Sequence, residues 1–333
     1  MDVPCYRPWL ALTVEKDGRA SPCRAPWLRE SFGRLGPGGL GALWGGLSHL
    51  LLLRSHVAGE WWGPCSGVCP VLCLGRGTFR PLLREELVHP GLLDWPEAAG
   101  SGELPASPIL LRLERMPPLD ATLQHWGANL RRLELSCGRR RLSVSDLAFG
   151  VIPWLEGCAK PGLEIAIEIE QPALGPELEQ VLLKLYPRPR VVTIWLRGLG
   201  RPGRAGKGLE PMAALARCLG ALWRVGWTVG HGPPRSVVEL ARVAREWGIE
   251  YVLRRTFAAR TDPFTRHHYL YLERFAKALE EALTVYPRWL EADRLMWLSE
   301  PLLAGVQGMS VRTEERDAAP WLSFSRPVTA ASQ

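Results

Sequence analysis

The sequence predicts an α/β protein, a partial (β/α)6, TIM-like barrel preceded by a small cysteine-rich module. Three observations predict it. From Pro108 to about residue 256, short β-type runs alternate with longer amphipathic stretches, the pattern of βα units on a parallel sheet. Five of the eight cysteines (Cys5, Cys23, Cys65, Cys69, Cys73) fall in the first quarter of the chain. Between these regions the run HPGLLDWPEAAGSGELPAS turns to Gly, Pro, Ala and Ser, which reads as a connector. The expected organisation is a cluster-sized module over 1–85, a linker over 86–107, the barrel over 108–256, C-terminal helices over 257–310 and a flexible tail over 311–333.

Each element has a local reason. In the module, Pro8-Trp9-Leu10 leads into a strand-like run, Ala11 to Val14, and Lys16-Asp17-Gly18 is a hairpin turn signal between β-prone segments. Leu47 to Leu53 is the most apolar stretch and reads as a helix docked on a core. Barrel strands are expected at Ile109 to Leu113, Leu130 to Leu135, Leu163 to Ile169, Val191 to Leu196, Gly226 to Val229 and Tyr251 to Arg254. Helices fit Ser143 to Glu156, Gly175 to Leu185, Leu209 to Val225 and Ser236 to Trp247. The last is the clearest, because Val237, Leu240, Val243, Ala244 and Trp247 recur at helical spacing and Gly248 supplies a stop. Between strands one and two, RMPPLDATLQHWGAN leaves room for a short helix only. Six strands suit a partial barrel, with an open doubly wound sheet as the runner-up. Beyond it, His268 to Leu290 reads as a long amphipathic helix, and a second is expected at Ala292 to Leu303.

Composition narrows the function classes. The 333 residues carry 41 Lys and Arg against 34 Asp and Glu, a net +7, but the Arg residues are scattered and no aromatic platforms interleave with them. A nucleic-acid role is not indicated. The apolar stretch at Leu47 to Leu53 is too short to cross a bilayer, and no basic segment precedes an apolar core at the N-terminus, so no membrane partner and a cytoplasmic location are expected. In that reducing compartment, cysteines point to metal binding, catalysis or burial rather than disulfides.

Cys65, Cys69 and Cys73 place three thiols within nine residues flanked by Gly and Pro, and the hairpin expected after Pro8 would draw Cys5 and Cys23 to one end. Soft thiolate ligands suit zinc or an iron-sulfur cluster. Structural zinc usually takes paired C-x2-C knuckles, whereas both intervals here are three residues, which favours iron-sulfur.

These residues carry a resemblance. CYRPWLALTVEKDGRASPC is similar to the opening of the SPASM or twitch auxiliary-cluster module of radical-SAM enzymes, with a Pro-Trp pair, an Asp-Gly hairpin and Gly18 five residues before Cys23. Trp44, Arg54 and Gly59 in LWGGLSHLLLLRSHVAGEWWGPCSGVC fit its continuation. The resemblance implies that Cys5, Cys23 and two of Cys65, Cys69 and Cys73 hold one [4Fe-4S] cluster. A full module carries C-x2-C-x5-C-x3-C and a distant further cysteine, and this chain has only C-x3-C-x3-C. Cys137 and Cys158 read as small buried hydrophobes rather than distant ligands.

Residues 108–256 also resemble the radical-SAM barrel in the order of their features. That family follows strand one with a C-x3-C-x2-C loop whose cluster binds and cleaves S-adenosylmethionine, and RMPPLDATLQHWGANL contains no cysteine. Where the family carries a Gly-Gly-Glu-Pro motif, this chain has Ser136-Cys137-Gly138-Arg139-Arg140, a cation in place of the acid. The expectation is a catalytically silent barrel that does not use S-adenosylmethionine, in an accessory protein serving a partner radical-SAM enzyme on a peptide or small-molecule substrate. Two alternatives stand: an active enzyme using Cys65, Cys69 and Cys73 as a non-standard triad, and a zinc-stabilised binding module.

The remaining candidates lie at the barrel mouth. Arg139, Arg140, Arg197, Arg254 and His231 follow or end strands there, and the arginines would suit a carboxylate, a phosphate or an acidic peptide. In LEIAIEIE, strand alternation puts Glu164, Glu168 and Glu170 on one face, read as a polar face paired with nearby Arg in preference to a substrate cradle. His267-His268 reads as a surface pair. No G-x-S-x-G, phosphate-loop or dinucleotide motif occurs.

Overall fold

The computed structural model describes residues 7–22, 28, 31–58, 106–158, 162–196, 209–229, 232–255, 266–286, 289–291, 310–312 and 322–325. The chain forms two compact units, residues 1–193 with 211–222, and residues 194–210 with 223–333. Both are α/β.

In the first unit a short helix α1 (Arg7–Leu10) runs into β1 (Ala11–Val14), which turns back into β2 (Arg19–Ser21) and then β3 (Gly33–Arg34). The expected hairpin is present. Gly18 takes a left-handed φ of 81°, its N–H bonds the Glu15 carbonyl at 2.9 Å, and Thr13 pairs with Ser21. The ribbon is not a free-standing module, however. All four residues of β1 are buried, and its other edge pairs in parallel with β4 (Leu110–Leu113), Leu12 opposite Leu111. A buried run with apolar neighbours on both sides is what a central strand requires, and local pattern cannot name the partner.

The sheet continues through β5 (Arg132–Cys137) and β6 (Glu164–Glu170), both parallel, giving the order β3-β2-β1-β4-β5-β6. Alternation sorts the side chains. Leu111, Leu113, Leu133, Leu135, Cys137, Ile165, Ile167 and Ile169 form one fully buried face. The helices bury Leu123, Trp126, Leu147, Val151, Trp154, Leu155, Leu178 and Leu182.

Two of the unit's helices start at side-chain caps. Helix α2 (Leu47–Val57) buries Leu52 and Leu53 but exposes Leu47, Leu50 and Leu51. Helix α3 (Ala121–Gly127) begins after the Pro117-Pro118 pair, and the Asp120 carboxylate accepts from Leu123 N–H at 2.8 Å. Helix α4 occupies residues 144–158, with a π turn at Leu147–Val151. Ser143 and Asp146 cap its start reciprocally. Helix α5 (Pro176–Leu183) follows β6, and β7 (Val191–Trp195) begins in this unit. Helix α6 (Glu210–Leu219) is shorter than expected, because Gly220 adopts a φ of 65° and ends it.

In the second unit, β8 (Leu222–Val229) and β9 (Glu250–Arg255) are parallel and flank helix α7 (Ser236–Trp247) in sequence. Helix α7 has the expected bounds, closed by Gly248 in the left-handed region with its N–H on the Ala244 and Arg245 carbonyls. Helix α8 (Arg266–Val285) stops before Tyr286-Pro287, since a residue preceding proline resists helical geometry. The chain then forms β10 (Trp289–Glu291), parallel to β9, where continued helix was expected. Residues 311–333, read as a flexible tail, contribute to β11 (Ser310–Arg312) and β12 (Leu322–Ser325), and β12 pairs antiparallel with both β10 and β11. Phe275 stacks on Trp227 at 6.3 Å between ring centroids.

The parallel βα pattern is therefore present, but the sheet is not closed into a barrel. Closure would need the free edges of β4 and β9, and those edges are taken by β1 and β10. Among the described residues no helix is long and apolar enough to cross a membrane.

Candidate functional site

The second face of the β4-β5-β6 sheet is charged. Arg112 on β4 stands opposite Glu134 on β5, and Ser136 on β5 stands opposite Glu168 on β6, so all four share this face. Arg112 is 3% exposed. Its Nη1 and Nη2 donate to the two carboxylate oxygens of Glu168 at 2.9 and 2.8 Å, a bidentate pair. Nη1 also reaches Glu134 at 3.2 Å, and Nη2 lies 3.5 Å from Glu114. Burial opposes the charged guanidinium, but Glu168, then Glu134 and Glu114, outweigh it and hold the Arg112 pKa well above its ordinary value. The Nε is buried and has no hydrogen-bond partner among the described residues.

The network has two ends. Toward the strand N-termini, Arg132 Nε donates to Glu134 at 3.0 Å, and Arg190 donates to Glu164 at 2.6 Å. Toward the C-termini, where parallel sheets present ligand sites, β5 passes into a tight turn. There Arg141 N–H bonds the Gly138 carbonyl at 3.1 Å and Leu142 N–H bonds the Ser136 carbonyl at 3.2 Å. This turn folds Arg141 inward. Its Nη1 donates to the Ser136 hydroxyl, its Nη2 lies 3.7 Å from Glu114, and its Nε lies 3.6 Å from Glu170. Gly138 makes room, since a Cβ there would lie 2.7 Å from the Glu170 carboxyl carbon.

The reading of Glu164, Glu168 and Glu170 as a face paired with Arg agrees with this geometry. Arg139 and Arg140 are exposed on the turn. The inward cation, Arg141, was missed among three consecutive arginines, as was Arg112. The alternation of LLRLE and RLELS was the available signal for Arg112. Arg254 lies in β9 of the second unit, paired in register with Thr228. Arg197, His231, Cys5, Cys23, Cys65, Cys69 and Cys73 lie outside the described residues.

Among the described residues no group of His, Cys, Asp or Glu is arranged to hold a metal ion. Cys137 is buried on the apolar face, its thiol pushed up to about 12 by burial against the opposing effect of Arg141. Such a thiol is inert at neutral pH. Cys158 donates to the Trp154 carbonyl at 2.9 Å, and burial raises its pKa too.

Two histidines of α2 are also buried. His49 accepts from Gly45 N–H at Nδ1 and donates from Nε2 to the Pro8 carbonyl at 2.6 Å, which uses both nitrogens of a neutral ring. It stacks on Phe32 at 4.1 Å and lies 4.6 Å from Trp44. Burial lowers its pKa to about 4, against the Pro8 hydrogen bond. His56 donates to the Leu52 carbonyl at 2.9 Å, meets Trp9 edge-on, and is likewise lowered by burial. These rings lock α2 to the N-terminal segment.

No family model, curated protein or solved structure matches this chain.

Proposed function

We propose that the chain is an iron-sulfur accessory protein of radical-SAM-like type, without radical chemistry of its own, that works beside a partner enzyme on a peptide or small-molecule substrate. Cys5, Cys23 and two of Cys65, Cys69 and Cys73 would hold one [4Fe-4S] cluster, which supplies one-electron transfer when bound. The donor set fits such a group, being all thiol. The hairpin adds support, since the pairing of Thr13 with Ser21 returns the chain at Pro22 to the end from which β1 departs.

The observation that carries the silent part of the proposal is the charged face. At the strand C-termini, Glu114, Arg141, Ser136 and Glu170 pair with one another, and the segment 114–120 after β4 contains no cysteine. The acids that end β4 and β6 are thus taken up by Arg141. The sheet then acts as a scaffold, open rather than barrel-closed, that carries the cluster module and presents its C-terminal rim to a partner.

Anaerobic reconstitution with iron and sulfide tests this, read by metal content and by reduced-state EPR with and without S-adenosylmethionine. The expected result is about four irons per chain, lost in Cys5→Ala and Cys23→Ala, with a spectrum indifferent to S-adenosylmethionine. A spectrum that shifts, with 5′-deoxyadenosine formed, would make Cys65, Cys69 and Cys73 a working triad. Zinc without iron would leave a structural binding module.

A further inference from the structure

We propose that the C-terminal rim of the β1-β4-β5 sheet docks an acidic peptide segment that carries apolar side chains. The proposal deepens the accessory reading by naming the kind of partner, and it rests on that reading only for the partner's role.

Three adjacent turns build the rim. Lys16 lies on the β1-β2 turn, Arg115 follows β4, and Arg139 and Arg140 lie on the turn after β5. All four are exposed, and none has an ion-pair partner among the described residues. The nearest acids are committed elsewhere: Asp17 to Arg19 at 3.1 Å, and Glu114 to Arg112 and Arg141. The turns are held together rather than scattered. A Cβ on Gly18 would lie 3.5 Å from Arg115 Nη1, which places that guanidinium along the hairpin turn, and Arg141 reaches back to Glu114 beside Arg115. Neighbouring strands are spaced by roughly 4.8 Å, so these cations line a short row along the sheet end.

Apolar surface adjoins the cations. Phe149 is 79% exposed on the π turn of α4, and Leu119 is 47% exposed on the loop after β4. The loop that carries Leu119 meets the helix beside Phe149, because a Cβ on Gly150 would lie 2.9 Å from Met116 Cγ. A π-helical turn inside an α-helix is a feature frequent at functional sites, and Phe149 stands on one. Cations flanking exposed apolar side chains match an acidic segment of mixed polarity. A nucleic acid fits less well, since duplex binding uses a longer set of phosphate contacts and single strands need several stacking rings.

Fluorescence polarisation of a labelled synthetic peptide that interleaves Glu with Leu and Phe, at low ionic strength, reads this out. Binding should weaken by roughly tenfold or more in Arg139→Glu/Arg140→Glu and severalfold in Phe149→Ser. It should hold in Arg131→Glu, an exposed reversal at the other end of β5, with circular dichroism verifying that each variant folds. Three results overturn the proposal: no binding, equal loss in Arg131→Glu, or undiminished binding of a peptide with Gln for Glu. Tighter binding of a single-stranded oligonucleotide of the same charge overturns it in favour of nucleic acid. Iron content is measured on the same samples, so a chain that binds the peptide but never assembles a cluster defeats the accessory reading and leaves this one standing.

Discussion

The charged face of the β4-β5-β6 sheet and the aromatic pocket that joins α2 to the N-terminal segment bury polar chemistry in opposite ways. On the charged face, Arg112 stays ionised because Glu168, Glu134 and Glu114 surround it. In the aromatic pocket around α2, His49 stays neutral because two backbone groups satisfy its ring and burial outweighs the Pro8 hydrogen bond that favours the charged form. The difference teaches what each region tolerates. A paired charge depends on its partners, and a neutral ring depends on pH.

The largest expected effect breaks the charged face. Arg112→Met removes the only guanidinium that bridges Glu168, Glu134 and Glu114 among the described residues, leaving buried carboxylates without it. Losing one partner of a buried pair costs roughly 3–5 kcal/mol. Urea unfolding measures it. The added substitution Glu168→Gln should recover part of the loss, because it removes one of the carboxylates that Arg112 had neutralised; no recovery would mean that Arg112 acts by packing alone.

The next effect tests the pocket. The His49 pKa is about 4 when folded and 6.5 in its ordinary state, so the unfolded chain binds more protons between these values. Stability is full above about pH 6.5 and falls as the pH drops toward 4, by about 3 kcal/mol at most from this ring. Arg112, whose pKa moves upward, adds nothing in that window. Unfolding free energies at neutral pH and near pH 4.5 should converge in His49→Gln relative to the wild type, even though the variant is weaker at neutral pH. An unchanged slope would place the acid sensitivity in His56, lowered in the same direction, or in the carboxylates.

Much of this architecture was legible in the sequence because the signals were local. Alternation in LEIAIEIE gave β6 its two faces, Asp17-Gly18 gave the hairpin, and Gly248 gave the end of α7. The partners of β1 and β10 were not legible, since each pairs with a strand distant in sequence or cut off by a proline, and no residue type encodes that choice. Both took the edges a barrel would have closed. In the candidate site, alternation predicted that Glu168 would face an arginine but not that it would be Arg112. Which of Arg139, Arg140 and Arg141 turns inward was set by the backbone bonds of the Gly138–Leu142 turn, which spacing does not show. The cysteine ligands lie outside the described residues, so the spacing of the thiols remains their basis.

The smallest effects sharpen the comparison by adding one methyl group to each side. On the helical layer, a Cβ on Gly127 would lie 2.1 Å from Cys158 Sγ and 3.0 Å from Trp154 Nε1, two side chains fixed between α3 and α4. Trp154 is held by its bond to the Leu123 carbonyl, so Gly127→Ala should cost roughly 1–3 kcal/mol. On the charged face, the atoms nearest a Cβ on Gly138 all belong to the Glu170 side chain, at 2.7 to 2.8 Å. That chain is long and can rotate, at the expense of its 3.6 Å approach to Arg141. Gly138→Ala should therefore lower the thermal midpoint less than Gly127→Ala does. The charged face would then be the adaptable one, rearranging its ion pairs where the helical layer must move whole elements. Equal losses in the two variants would mean that Glu170 is held as rigidly as Trp154, and that the strand ends of the charged face form a fixed layer.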